Sequence, residues 1–209
     1  MLTLYYSPGA CSMASHIALE ETGEPYEAKL VSIPKGEHRS PDYLAVNPRG
    51  KVPALRTDDR VLTENVAILF YVASTFFDCR LLPLDPLDGA RCLATMAWFS
   101  NTVHPSFTRT LRPERFAGEE AAQAAVKASG REAFWANLQE LDGLLKGKDW
   151  VAGVQYTVCD PYALVFYGWG LRAELPMRDL RAYTGFKDRM LARPAVRKVL
   201  ERENSVLLR

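Results

Sequence analysis

Cys11 is the residue of this sequence best placed to do chemistry. It follows Pro8 and Gly9 and precedes Ser12. Upstream lies the apolar run Leu2-Thr3-Leu4-Tyr5-Tyr6, which reads as a strand. Downstream, Met13, Ala14, Ile17, Ala18 and Glu21 fall at helical spacing, with Gly23 as the stop. A thiol is therefore expected at a strand-to-helix turn, where unpaired backbone N–H groups and the helix dipole favour negative charge. An ordinary thiol, with a pKa of about 8.5, is about 3% ionised at neutral pH; a drop of about two units makes thiolate the majority form. Tyr6, at the end of the strand, adds a phenol. The alternative for Cys11 is a small buried hydrophobe, and for Tyr6 a ring packed in a core.

A second informative stretch is Asn47-Pro48-Arg49-Gly50-Lys51-Val52-Pro53-Ala54-Leu55. Turn residues lead into a proline that opens a strand, which makes Val52-Pro53 a candidate cis bond. A cis Pro53 leaves the Val52 N–H and C=O free to pair with an extended ligand. Thr63-Glu64-Asn65 then starts a helix, with Thr63 or Asn65 as cap and Glu64 in the first turn. There an acid either complements the dipole or binds a cation.

These groups need elements to hold them. Residues 26–33 alternate as a second strand ending at Pro34, making a βαβ unit with parallel strands. Residues 35–39, including Lys35, read as a loop, and Ser40-Pro41 opens a short helix. Residues 55–62 form a hairpin, and the next helix carries Val66, Ala67, Leu69, Phe70, Ala73 and Phe77 inward. The order is βαβαββα, with the chemical groups at strand ends and helix starts. Residues 81–89, rich in proline and aspartate, read as a connector, and beyond them the signals are helical. One helix over residues 90–111 is kinked by Pro105 near His104, and another covers residues 119–145. Thr157 and Asp160 have capping-box spacing ahead of an apolar run and are assigned to folding. Arg109, Arg112 and Arg115 read as a solvated face, with a basic stripe at a pocket mouth as the alternative. Trp98, Phe99, Phe116, Phe166, Tyr167 and Trp169 offer apolar surface, most of it core.

The segments Pro8-Gly9-Ala10-Cys11-Ser12, Asn47 to Leu55 and Thr63-Glu64-Asn65-Val66-Ala67-Ile68 resemble the N-terminal domain of cytosolic glutathione S-transferases, specifically the bacterial beta class. The resemblance covers essentially the whole chain. It implies the glutathione S-transferase fold, an α/β thioredoxin-like N-terminal domain followed by an all-α C-terminal domain, assembled as a homodimer. The expected division is a glutathione-binding domain at 1–80, a linker at 81–89 and a helical domain at 90–209 that forms the second-substrate pocket. By position, the resemblance puts Cys11 beside the glutathione sulfur and Tyr6 nearby, and brings His104 to the thiol from the helical half. It assigns Lys35 and Lys51 to the glycyl carboxylate, Val52, before Pro53, to the cysteinyl backbone, and Glu64 to the γ-glutamyl ammonium. Asn65 stands where serine is common, next to the γ-glutamyl carboxylate, so that contact is expected from the backbone N–H alone.

Composition narrows the classes. The 209 residues carry a formal net charge of +1, which argues against general nucleic-acid binding. No apolar run reaches the length of a spanning helix and the N-terminus lacks signal-peptide features, so a cytoplasmic protein is expected. The four cysteines and three histidines show no metal-ligand spacing, and no metal is expected. The leading expectation is an enzyme that conjugates glutathione, as thiolate, to a hydrophobic electrophile. The alternatives are a thiol–disulfide oxidoreductase or peroxidase working through a mixed disulfide on Cys11, and a non-catalytic binding protein on the same fold.

Overall fold

The sheet half follows the expected order. β1 (Leu2–Tyr6) leads through a turn into α1 (Ser12–Thr22), then come β2 (Tyr26–Leu30), α2 (Pro41–Val46), the hairpin β3 (Ala54–Thr57) and β4 (Arg60–Thr63), and α3 (Asn65–Thr75). The computed structural model describes all 209 residues. The sheet order is β2-β1-β3-β4. β1 runs parallel to β2 and antiparallel to β3, with Leu4 opposite Ala28 and Leu55. The strand period of two divides β1 between two cores. Leu4 and Tyr6 pack with α1 and α3, while Tyr5 packs with Val31, Tyr43 and Val52 on the other face.

Two details of this half differ from expectation. β2 stops at Leu30 because β1, its only partner, ends at Tyr6; one further bond, Val31 N–H to the Tyr6 carbonyl at 2.8 Å, closes the ladder. The buried stripe of α3 is Asn65, Ile68, Leu69, Val72 and Ala73, the i, i+3, i+4, i+7, i+8 set. Phe70 belongs to the neighbouring stripe and is 49% exposed, while Phe77 lies past the end of α3 in the short turn Phe77–Cys79 and is 67% exposed.

The second half is helical: α4 (Pro86–Trp98), α5 (His104–Leu111), α6 (Glu120–Leu145), α7 (Cys159–Arg172), α8 (Arg181–Leu191) and α9 (Pro194–Arg202). α4 begins inside the stretch read as connector. Asp85 accepts from the Leu87 and Asp88 N–H groups at 2.9 Å each, and Pro86 occupies the first helical turn. Asp-Pro here is a helix start. At the other end of α4, Phe99–Val103 form a π-type turn before α5. Pro105 has no N–H to donate, and the widened turn just before it, with the His104 N–H on the Phe99 carbonyl, falls where the ordinary ladder is interrupted. The backbone stays helical from α4 through this turn into α5, so His104 sits within one long helical run, at the irregularity expected next to Pro105.

α7 is the centre of the helical half, with every residue from Cys159 to Gly170 buried. Its start is tied down by Asp160, whose carboxylate accepts the Thr157 N–H at 2.6 Å and the Val151 N–H at 2.8 Å. Thr157 Oγ1 in return accepts the Cys159 N–H at 3.3 Å. α5 lies close against α6 where α6 has Gly130. A Cβ there would stand 2.6 Å from Arg109 Cβ and 2.8 Å from the Thr110 nitrogen, so this crossing fixes how near α5 approaches.

Candidate active site

A cleft of about 680 Å³ opens between the two halves. The sheet half contributes Cys11, Lys51, Val52, Pro53, Glu64 and Asn65, and the helical half contributes His104, Thr108, Arg115, Phe116, Tyr162 and Trp169. Each is placed by local structure. The turn before α1 is closed by reciprocal bonds, Ser7 N–H to Ser12 Oγ at 3.1 Å and Ser12 O–H to the Ser7 carbonyl at 3.2 Å. Lys51 and Val52 sit on a loop pinned at the Lys51 carbonyl, which accepts from Tyr43 O–H at 2.6 Å and Asn47 Nδ2 at 2.7 Å. Gly50 has φ +60°, and a Cβ there would lie 2.9 Å from the His38 carbonyl oxygen, so the loop requires glycine. The Val52-Pro53 peptide is cis. The Val52 N–H donates to nothing in the chain.

The electrostatics differ from the sequence expectation at the residue that mattered most. Cys11 is only 9% exposed, and burial pushes its thiol up to about 12. The backbone N–H groups of Cys11 and Ser12 and the Lys51 charge oppose this, while the Glu64 carboxylate adds to it. Desolvation wins over the helix start. Cys11 is therefore a thiol, facing the Val52 carbonyl at 3.6 Å. Across the cleft His104 is brought down to about 4, by burial first and then by the charges of Lys51 and Arg115. Its imidazole is neutral at pH 7, with its ring edge-on to Trp169 at 4.7 Å.

Glu64 holds a left-handed backbone, φ +70° and ψ 124°, at the start of α3, a conformation that costs a non-glycine residue about 1–3 kcal/mol. Its exposed carboxylate meets Arg49 at 3.0 Å. Asn65 is 7% exposed, and its Oδ1 accepts the Ser15 O–H at 2.5 Å. That bond fixes the amide orientation and leaves Nδ2 buried without an acceptor. The Tyr162 hydroxyl is near enough to sense the amide but outside hydrogen-bonding geometry.

This arrangement has close counterparts. Residues 1–74 match the family described as glutathione S-transferase, N-terminal domain. Glutathione S-transferase GstA of Escherichia coli O157:H7 is 34% identical over 205 residues, covering 97% of this chain and 98% of that protein. The chain belongs to the glutathione S-transferase family. Among solved structures, a Sulfitobacter glutathione transferase homologue with bound glutathione superposes with TM-score 0.92 at 33% identity, covering 97% of this chain and 98% of that one. A bacterial beta class glutathione S-transferase of Sphingomonas chungbukensis gives TM-score 0.85 at 34% identity, with 96% and 98% covered.

Within this glutathione S-transferase fold the cleft gathers Cys11, Lys51, Val52, Pro53, Glu64, Asn65 and His104. It does not gather Tyr6 or Lys35. Tyr6 is buried beneath α1, its ring 4.6 Å from that of His16, because strand alternation sends it to the core face. Lys35 is exposed on the loop after β2. Of the aromatic residues singled out, Phe116 and Trp169 line the cleft, and Phe99, Phe166 and Tyr167 are core. Arg115 lines the cleft too, unlike Arg109 and Arg112.

Sequence reasoning missed how the helical half grips the Cys11 turn. The Gly9 carbonyl accepts from Trp169 Nε1 at 2.9 Å and from Arg172 Nη1 at 3.0 Å, and the Gly9 N–H donates to Glu203 at 3.3 Å. Glu203 also meets His16 Nδ1 at 2.8 Å, in a site with no solvent contact for either side chain. Arg202 faces the other imidazole nitrogen at 3.0 Å, which makes Nε2 the acceptor and leaves the proton on Nδ1. These partners lie 160 or more residues from Gly9, beyond any local signal.

Proposed function

We propose that the cleft binds glutathione with its sulfur between Cys11 and His104 and delivers it as thiolate to an electrophilic small molecule. The observation that carries this reading is one wall holding the free Val52 N–H, the Cys11 thiol and Glu64, faced by the neutral His104 imidazole. Val52 pairs with the cysteinyl backbone, Glu64 takes the γ-glutamyl ammonium, and Lys51 takes a carboxylate. Asn65 adds a side-chain donor, its locked Nδ2, to the helix-start N–H groups for the γ-glutamyl carboxylate. The Cys11 S–H and a His104 N–H donate to the sulfur, stabilising its charge as an oxyanion hole does, and its proton leaves to solvent.

Conjugation is favoured over the disulfide cycle because a thiol raised to about 12 is a poor attacking group. On this reading residues 1–80 bind the tripeptide and 90–209 supply the second-substrate wall. Residues 81–89 join them, the last four already helical. The exposed apolar side chains Phe70 on α3 and Leu87 and Leu93 on α4 suit a homodimer interface. No helix is long and apolar enough to cross a membrane, and a cytoplasmic location is part of the proposal.

Calorimetry with glutathione tests the binding, and Cys11→Ala tests the chemistry. The variant should lose reduction of mixed disulfides and keep aryl-halide conjugation within about tenfold, the share of one weak donor. Loss of both activities in the variant, with disulfide reduction the faster of the two in the unaltered protein, would reverse the order of the two readings.

A further inference from the structure

The three arginines that follow α5's start at a spacing of three have three different situations. The Arg109 guanidinium lies over the Phe116 ring at 5.9 Å. Arg112 is 3.8 Å from Glu114. Arg115, on the single turn Pro113–Arg115 after α5, is paired with no carboxylate and lines the cleft. Its charge bears on two imidazoles of that cleft, helping to hold down both His38 and His104. It therefore faces inward, across the space between the two halves.

The rest of the helical wall is apolar or uncharged: Phe116, Pro105 and Trp169, with Thr108, Ser100 and Tyr162 hydroxyls and the neutral His104. Arg115 is its one permanent charge. On the sheet wall, Lys51 is balanced by Glu64, the cleft's only carboxylate, and Glu64 already meets Arg49. If the tripeptide occupies the sheet wall, as the reading above has it, its own charges are met there. A guanidinium beside an exposed aromatic ring then remains for the other substrate, a pairing that fits a flat ring bearing a carboxylate.

Resting on that reading, we infer that Arg115 selects a second substrate carrying a carboxylate or another anionic group. The fork of N–H donors binds the anion bidentately, and Phe116 takes the ring. This holds the electrophilic carbon toward the sulfur between Cys11 and His104. With an aryl chloride the glutathione thiolate forms a C–S bond, the C–Cl bond breaks, and chloride leaves with the electron pair; no redox partner is needed. Arg115 is exposed, so the selection weakens as salt screens it.

The test compares 4-chloro-3,5-dinitrobenzoate with its methyl ester, which differs in charge at nearly constant shape. Each enzymatic rate is divided by its uncatalysed rate with glutathione. The KM of the acid should lie about five- to tenfold below that of the ester, and Arg115→Gln should bring the ratio to about one. Arg115→Lys should retain part of the preference and Arg112→Gln all of it. Raising salt from about 20 to about 500 mM should shrink the preference in the unaltered protein. A preference that survives Arg115→Gln, a ratio near one at the outset, or a change in glutathione KM in place of the acid's overturns the inference.

Binding of the two S-aryl glutathione adducts, measured by calorimetry, gives the same comparison without turnover. Tight glutathione binding with equal affinity for acid and ester adducts sinks the Arg115 assignment alone. Absence of glutathione binding sinks the reading beneath it as well.

Discussion

Gly130→Ala sets two effects of opposite sign against each other. Glycine inside a helix is less favourable than alanine by about 0.8–1.0 kcal/mol, so propensity alone makes the substitution stabilising. The structure decides otherwise. The new Cβ would lie 2.6 Å from Arg109 Cβ, 2.8 Å from the Thr110 nitrogen and 3.0 Å from the Arg109 carbonyl carbon. Two of these are backbone atoms, which cannot swing aside. Relief at ordinary contact distance moves α5 away from α6 by about 1 Å, loosening the tilted contact in which the Phe107 and Phe134 rings stand 5.2 Å apart. Overpacking of this kind costs about 1–3 kcal/mol, occasionally more. Taking about 2–3 kcal/mol here, the net is a loss of about 1–2 kcal/mol, or roughly 2–8 °C in Tm for a chain of this size. On the proposed reading His104, at the head of α5, donates to the glutathione sulfur; an error of about 1 Å in placing such a group can cost up to about 100-fold in rate, so kcat should fall more than glutathione affinity. Gly143→Ala, on the same helix with nothing within 4 Å of the added carbon, is the control. It should raise stability by about 0.5–1 kcal/mol and leave kcat alone. Urea unfolding followed by fluorescence and circular dichroism measures both. If Gly130→Ala proves as stable as Gly143→Ala, the close crossing does not set the α5 position and the argument fails.

Three further outcomes follow from groups in or near the cleft. With His104 at about 4, the conjugation rate between pH 5 and 8 should show only the glutathione thiol limb; a limb near pH 6.5 that vanishes in His104→Asn would contradict the assignment. Asn65→Ala should raise glutathione KM about tenfold with little change in kcat, as one bond to a charged group is lost. Ser15→Ala should give a smaller rise by releasing the amide, and equal KM values in all three proteins would remove Asn65 from the site. Asp160 is raised by burial to about 7, above its ordinary unfolded value near 3.9. The folded state thus holds the proton more tightly, and the associated stability, present at low pH, is lost as pH rises from about 4 to 7, up to about 4 kcal/mol in all. The stability of the unaltered chain relative to Asp160→Asn should decline over that window, and a flat or rising difference in urea midpoints would refute the sign.

How much of this was legible in the sequence depended on the range of the interaction. Local patterns sufficed for β1, α1 and the β3–β4 hairpin, because strand alternation and turn residues are written within a few residues. They found where α3 starts but not its cap, since the capping position is Glu64, no side chain caps the helix, and the Asn65 side chain bonds to Ser15 instead. They sufficed also for the pairing of Thr157 with Asp160, which spans three residues, though not for the Asp160 bond to the Val151 N–H, nine residues away. They misplaced the start of α4, where Asp85-Pro86 was read as connector chemistry, and the inner face of α3, where Phe70 drew the stripe one position off and Phe77 was carried past the helix end. They could not show which aromatic rings reach the cleft. Trp169 does so because its indole N–H bonds to Gly9 while its ring stacks on Phe107 at 4.2 Å, and nothing near residue 169 signals a partner in the first turn of the chain. Arg115 is separated from Arg109 and Arg112 only by where the turn after α5 points.

The error over Cys11 teaches the most, because its position was right and its charge was wrong. A helix start lowers a thiol pKa only while solvent can help carry the thiolate. Here α1 is buried from Ser12 to Leu19, and the turn before it is covered by Trp169, Arg172 and Glu203 from the other half. At about 12, only about 10⁻⁵ of Cys11 is thiolate at pH 7. That suits a transferase: a thiolate in the pocket wall would compete for every electrophile that entered, and would be alkylated irreversibly. Kept protonated, Cys11 can donate to the sulfur of a bound thiol without becoming the nucleophile itself. On the proposed reading, the same burial that defeats the sequence argument for a reactive cysteine makes room for a reactive glutathione.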